Sequence, residues 1–281
     1  MYLLFDIGGT KTRIALSEDL KTIAGVVRFD TPLLFADAME RFALEAEKLL
    51  QGRALVAIAG GIRGPLNQEK TCIVSETVLI DWVDKPLTET LSRSFSVPCY
   101  LENDAALAGL GEACVGAGKG YPIVAYYTVS TGVGGARIVD GKVDRTHSGF
   151  EPGKQSIDID HTVHTELSLD GTLEDLISGE SLEKRMGVKP YEVPQESPIW
   201  DELAGYLAHG LKNTVVYWSP DIIVLGGSMI VGDPRIFLAS IQEKTAHLLK
   251  GLVPCPPIVD ATLKDEGGLY GALALLRTKM G

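Results

Sequence analysis

Phe5-Asp6-Ile7-Gly8-Gly9-Thr10-Lys11-Thr12-Arg13-Ile14-Ala15 has an echo far down the chain, in Val129-Ser130-Thr131-Gly132-Val133-Gly134-Gly135-Ala136-Arg137-Ile138-Val139. In both, an apolar strand runs into a polar, glycine-rich turn, and a second strand begins near Arg-Ile. Residues 2–7 read as a buried strand, Gly8-Gly9 as a turn and Lys11 to Ser17 as the returning strand of a hairpin. Ile123 to Val129, Ser130 to Gly135 and Ala136 to Val139 repeat that plan. Two copies of one hairpin predict two related halves with a boundary near residues 109–120. A cleft between halves is where a small ligand binds.

Outward from the hairpins, apolar spacing predicts helices at Ala36 to Leu50, Pro86 to Ser94, Asp104 to Val115, Leu173 to Met186, Trp200 to Tyr217, Phe237 to Leu249 and Gly267 to Thr278. Short strands are expected at Leu55 to Ala59, where Gly60-Gly61 breaks the run, at Cys99 to Leu101 and at Ile222 to Leu225. Strands alternating with helices point to α/β architecture with sheets covered on their faces.

Composition narrows the function. The 281 residues are 45% apolar and 22% charged, ordinary globular usage that excludes disorder, collagen and coiled coil. The net charge of −11 repels phosphate backbones and anionic lipid, so neither nucleic acid nor membrane is the expected partner. Glycine is abundant, with 31 residues against an average of about 7%, as tight turns and close backbone approaches require. Cys72, Cys99, Cys114 and Cys255 form no C-x-x-C pair, which speaks against a zinc knuckle or a disulfide scaffold. With no basic leader and no apolar run of about 18 residues, a soluble, cytoplasmic protein is expected.

Several segments have the composition of a site. Successive backbone N–H groups in a glycine turn make an anion-binding concavity, and Thr10, Lys11 and Thr131 add donors to the two turns. The chain has no G-x-x-x-x-G-K-[ST] and no complete G-x-G-x-x-G between strand and helix, which disfavours a P-loop or a dinucleotide dehydrogenase. Glu102-Asn103-Asp104 ends a strand and opens an alanine-rich helix. It reads either as a helix cap or as a site with Asp104 as general base. Glu151, in Ser148-Gly149-Phe150-Glu151-Pro152-Gly153-Lys154, is either on a solvated turn or held rigidly against a hydroxyl-bearing ligand. Pro220-Asp221-Ile222-Ile223-Val224-Leu225-Gly226-Gly227-Ser228 reads as a buried strand opening into a glycine turn, which suits the close approach of a flat ring or a helix N-terminus.

Taken in order, Asp6-Ile7-Gly8-Gly9-Thr10-Lys11, Glu102-Asn103-Asp104-Ala105, Ser130-Thr131-Gly132-Val133-Gly134-Gly135, Glu151-x-Gly153 and Leu225-Gly226-Gly227-Ser228 resemble the ROK-family sugar kinases and repressors of the actin-like ATPase, or hexokinase-like, superfamily. The likeness runs from Met1 to Gly267-Gly268-Leu269-Tyr270-Gly271-Ala272. It implies two RNase H-like domains around a central cleft, residues 1–108 with 267–281 packing back on them and residues 109–266. It implies ATP with Mg²⁺ and a sugar substrate, and leaves a homodimer open. Asp6, Gly8, Gly9, Thr10 and Lys11 would hold phosphates with Ser130, Thr131, Gly132 and Gly134. Asp6 would also lie by nucleotide-bound Mg²⁺, and Gly226, Gly227 and Ser228 by the adenosine. Asn103, Asp104, Glu151, Lys154 and Gly61 would form the sugar side, with Asp104 taking the hydroxyl proton.

A sugar-sensing transcriptional regulator is the competing class. It needs an N-terminal helix-turn-helix, whereas this chain opens on the phosphate hairpin. A catalytically weakened sugar- or nucleotide-binding protein is the other alternative. Two departures from the family matter. Where an Asn-Leu pair often precedes Trp, this chain has Ser75-Glu76-Thr77-Val78-Leu79-Ile80-Asp81-Trp82, so Glu76 or Thr77 replaces the Asn or Glu76 is simply solvated. Where relatives bind a structural zinc through three cysteines and a histidine, alignment on Gly171 and Glu174 places Thr165, Leu167, Thr172 and Lys154. Thr, Leu and protonated Lys supply no such ligands, and His161 and His164 read as exposed loop residues. No structural zinc is therefore expected, with Leu167, Leu169 and Leu173 holding the loop. Lys154 points either into the cleft or into solvent.

Overall fold

Strand β1 (Tyr2–Ile7) buries Leu3, Leu4, Phe5 and Ile7, so both its faces are covered, as expected of the centre of an α/β sheet. In a computed structural model that describes residues 1–163 and 170–280, β1 pairs antiparallel with β2 (Lys11–Ser17), and β2 with β3 (Ala24–Asp30). On its other side β1 runs parallel to β4 (Ala57–Ile62), and β4 to β5 (Cys99–Asn103). The order is β3-β2-β1-β4-β5. The second sheet contains β6 (Ile123–Val129), β7 (Val133–Val139), β8 (Lys142–Val143), β9 (Ile222–Gly226) and β10 (Ile258–Asp260). From one edge its order is β8-β7-β6-β9-β10, with β6 antiparallel to β7 and parallel to β9. The two sheets share one plan, as the hairpin echo predicts of related halves, and it is the doubled RNase H-like plan that the family resemblance implies.

The chain forms two compact units, residues 1–115, 141–149 and 265–281 in one and residues 116–140 and 150–264 in the other. The division thus falls after α3 (Asp104–Cys114), whereas a boundary at 108 would cut that helix. In the first unit Phe42 of α1 (Phe35–Leu50) meets Phe5 edge to face at 5.6 Å, and Phe95 of α2 (Leu87–Phe95) at 6.4 Å. Each such aromatic contributes roughly 1.5–3 kcal/mol through burial. Helix α9 (Gly267–Met280) lies backbone to backbone against α3. A Cβ on Gly111 would overlap Gly267 O, and one on Gly271 would overlap Leu107 O.

In the second unit, α4 (Leu173–Ile177), α5 (Gly179–Met186), α6 (Ile199–Trp218), α7 (Ser228–Val231) and α8 (Leu238–Leu249) accompany the sheet. Tyr127, Leu173, Trp200, Leu203, Leu207 and Leu225 are buried together in its core.

The sequence reading departs from this fold at identifiable places. β4 continues through Gly60-Gly61 instead of breaking there, because Gly60 must accept the Phe5 ring and carbonyl where a Cβ would stand. β3 and β10 are edge strands whose short or exposed runs lack a clear alternation. The helix expected from Leu173 to Met186 is two helices. Ser178 is extended and caps α5 through its hydroxyl, ending α4. Among the described residues no helix is long and apolar enough to cross a membrane.

Candidate active site

The turn between β1 and β2 is closed by the Gly8 N–H donating to Lys11 O at 2.9 Å. Thr31 braces it. Its hydroxyl donates to Gly8 O at 2.8 Å, so Thr12, 2.9 Å away, donates to Thr31. The N–H groups of Gly9 and Thr10 have no acceptor among the described residues, which leaves two adjacent donors for an anion. Neither Gly8 nor Gly9 has positive φ. Gly9 leaves room for a side chain, because a Cβ there would stand 2.7 Å from Arg63 Nη1, which would have to shift. Lys11 is ion-paired with Asp30. That pair is exposed and weak, so it does not fix the ammonium against exchange.

Asp6, one residue before the end of β1, lies opposite Arg13, whose Nη1 donates to Asp6 Oδ2 at 3.0 Å and whose Nη2 meets Asp265 at 3.1 Å. Gly268 at the head of α9 is pressed against the Asp6 carboxyl. Burial raises the Asp6 pKa, Arg13 opposes it and Asp265 adds to it.

Asp104 opens α3. The cap itself is Asn103, whose Oδ1 accepts from Ala106 N at 3.1 Å while its Nδ2 donates to Gly64 O at 3.2 Å. The cap reading is thus realised in Asn103, and its amide is already engaged. Among the described residues, Asp104 Oδ1 accepts only the adjacent Ala105 N–H, at 2.8 Å. Burial, then the Asp6 charge, raises the Asp104 carboxyl to about 6. Gly61 lies beneath, where a Cβ would come within 3.1 Å of Asp104 Cα. Gly61 seats the Asp104 backbone and is itself buried within β4. Glu102 is buried, ion-paired with Lys70, and accepts from Asn103 N at 3.1 Å.

In the second unit the corresponding turn is shorter than the sequence suggests. Ser130 N donates to Gly132 O at 2.9 Å, and β7 already starts at Val133. Gly134 is therefore paired with Thr128 in the sheet and is not part of the turn, a correction to its expected place. The N–H groups of Thr131 and Gly132 have no acceptor among the described residues, matching Gly9 and Thr10. The turn is anchored by α5, whose Gly179 and Glu180 N–H groups donate to Ser130 O and Thr131 O at 2.7 and 3.2 Å. Ser130 Oγ lies 3.0 Å from Ser228 Oγ. Gly227 has φ +89°, and a Cβ there would run into the backbone of Val129. Gly226 sits over the Tyr126 hydroxyl.

Glu151 and Lys154 flank the short 3₁₀ turn Pro152–Lys154, and both are exposed. Lys154 is ion-paired with Glu174, whose other oxygen accepts from Val133 N at 2.7 Å. That hydrogen bond to Glu174 raises the Lys154 pKa. Partial desolvation raises the Glu151 carboxyl, with Lys154 opposing.

The ROK family model matches residues 2–279. The chain belongs to the ROK family. It is 27% identical to a fructokinase of Streptococcus mutans, over 99% of this chain and 97% of that protein. A ROK hexokinase of Thermus thermophilus superposes with TM-score 0.81 at 28% identity, over 100% of this chain and 99% of the other. A ROK-family glucokinase of Streptomyces griseus, solved with glucose and AMPPNP, shares the fold at TM-score 0.79 and 24% identity, over 99% of each chain.

This ROK chain carries groups beyond those its motifs point to. Arg13 could have been found by counting the hairpin register, which sets it opposite Asp6. Arg63 and Glu174 have no local signal, since their partners are distant in sequence. Glu76 is not solvated. Its side chain is 4% exposed and takes the Arg63 Nε–H at 2.9 Å. Burial raises its pKa, but the Val78 and Thr77 N–H groups and Arg63 outweigh that and hold it low. Of the residues aligned with zinc ligands, Thr172 caps α4 in a reciprocal box with Asp175. Thr165 lies outside the described residues, as do Leu167, Leu169 and His164. His161 is exposed.

Proposed function

We propose that this protein is an ATP-dependent sugar kinase that phosphorylates a hexose or hexose derivative, with Asp104 as general base. The observation that carries the reading is Asp104 itself, a carboxyl raised to about 6 in the unit that holds the Gly8–Lys11 turn. A sugar hydroxyl is a poor nucleophile. A carboxylate poised near neutrality takes its proton as the oxygen attacks the γ-phosphorus and the bond to the ADP oxygen breaks. Asn103, Glu151 and Lys154 are read as sugar contacts and Gly61 as the seat of the base. The Gly9, Thr10, Thr131 and Gly132 N–H groups serve as phosphate donors, and Gly226 to Ser228 as the adenosine side.

Asp6 suits Mg²⁺ carried in on a nucleotide, because such ions need only one or two protein carboxylates besides phosphate oxygens. When bound, the ion neutralises charge on the transferring group. Use of ATP makes the cytoplasm the expected site of action. Fructokinase and hexokinase relatives support a hexose, as does a neighbour solved with glucose and AMPPNP.

The test is ADP release across fructose, glucose, mannose, amino sugars and N-acetyl sugars. We expect one class to stimulate release strongly. Binding of AMPPNP with no sugar-dependent ADP would instead identify a binding protein of the same fold.

A further inference from the structure

Arg63 follows β4, with its backbone N–H held by Ile7 O at 3.2 Å, so its position is tied to the end of β1. The side chain crosses the Gly8–Lys11 turn, where a Cβ on Gly9 would come within 2.7 Å of Nη1 and 3.2 Å of Cδ. Its Nε–H is spent on Glu76 at 2.9 Å. Glu76 is in turn fixed by the N–H groups of Thr77 and Val78, at 2.8 and 3.0 Å. Neither terminal nitrogen of Arg63 has a hydrogen-bond partner among the described residues, although the side chain is only 34% exposed. A guanidinium anchored through Nε presents its two NH₂ groups as a preset fork for phosphate oxygens. Beside it are the two N–H donors of Gly9 and Thr10 that the protein leaves unused. Asp104 is near enough that the Arg63 charge lowers its pKa.

We propose that Arg63 is a catalytic residue that binds the phosphoryl group in transit from nucleotide to sugar, with Glu76 as its positioning residue. The proposal rests on the kinase reading and adds a group to it. In the transition state the γ-phosphorus is bonded weakly to both the sugar oxygen and the ADP oxygen. Charge then spreads over its equatorial oxygens, which is where an arginine fork gains most. The proton goes to Asp104 and the electron pair of the broken bond to ADP. Arg63 neutralises charge without exchanging a proton.

The experiment compares wild type, Arg63→Met, Arg63→Lys and the double variant Arg63→Met/Glu76→Gln. It reads sugar-dependent kcat, together with the Kd of AMPPNP and of ADP by calorimetry. We expect Arg63→Met to lower kcat about 10²–10³-fold and to weaken AMPPNP by about tenfold or more with ADP unchanged. Arg63→Lys should recover part of the loss. The double variant removes the orphaned carboxylate and serves as the folding control. It should stay as inactive as Arg63→Met if Arg63 touches the phosphoryl group. Recovery of kcat in the double variant would overturn the proposal, as would equal losses for AMPPNP and ADP or an unchanged kcat in Arg63→Met. Absence of sugar-dependent ADP from wild type would be a failure of the kinase reading, visible before any variant is made.

Discussion

The turn joining β1 to β2 and the turn joining β6 to β7 occupy the same place in two copies of one sheet plan, and each leaves two adjacent N–H donors unused. Their surroundings differ. Asp6, Arg13, Arg63, Glu76 and Asp104 share the first unit with the first turn, and each has a charged neighbour. The second turn has serine hydroxyls and the N–H anchors of α5, with Glu174 as its charged brace. Both units carry the backbone cradle, while the paired ionisable groups are collected in the first. On the proposed kinase reading this division is expected: phosphate holding needs only backbone geometry, which both units supply, whereas proton transfer needs one tuned carboxyl.

That contrast is broken most directly at Asp104. Asp104→Asn should lower kcat by about 10²–10⁴-fold and leave AMPPNP affinity within about twofold, measured by steady-state kinetics and calorimetry. Wild-type turnover should fall as pH drops through about 6, because the base must be ionised. The stability effect has the opposite sign. Asp104 binds its proton more tightly folded than unfolded, so wild type loses stability as pH rises from about 4 through 6. At pH 8 Asp104→Asn should be more stable by roughly 1–3 kcal/mol, the lower figure allowing for screening. This gain should vanish below about pH 4 in denaturant titrations.

The two sets of glycines sharpen the comparison next. Gly227 has φ +89° and abuts the Val129 backbone, so Gly227→Ala should cost at least about 2 kcal/mol, read from the denaturant midpoint. Gly9 has ordinary φ and a flexible neighbour in Arg63. Gly9→Ala should cost under about 1 kcal/mol while weakening AMPPNP severalfold. Equal stability losses at both positions would remove the distinction between a glycine kept for its backbone and one kept for a side chain beside it.

The brace of the second turn divides into a moderate effect and a small one. Glu174→Ala takes the acceptor from Val133 N and should cost roughly 1–2 kcal/mol. Lys154→Met removes only the exposed partner and should change stability by less than about 1 kcal/mol. If Lys154 also contacts sugar, its loss raises KM, and an unchanged KM would remove that role.

The hairpins and α3 were legible in the sequence because their signals are local: glycine beside alternation, and an Asn cap before alanines. The place of Asp104 at the head of α3 was legible for the same reason. The β4 register was not, since Gly60 and Gly61 look like a break until Phe5 and Asp104 are seen packed on them. Gly134 looked like part of the turn because composition does not reveal where a ladder begins. Arg63 was invisible for a stronger reason. Its partners Gly9 and Glu76 lie on either side of it in sequence, and only the β1–β4 pairing and the 73–83 loop bring the three together.

The glycine seam between α3 and α9 also has a consequence for synthesis. The whole second unit is made between these two helices, so the first sheet and α3 emerge early and wait for the helix that covers them. Until α9 arrives, the face of α3 at Leu107, Ala108 and Gly111, on which Gly267 and Gly271 pack, lacks that cover and is open to chaperones or to misassociation. The nascent chain thus has Asp6 before it has Gly268, which packs against the Asp6 carboxyl, and the first unit is completed only after the second has been translated.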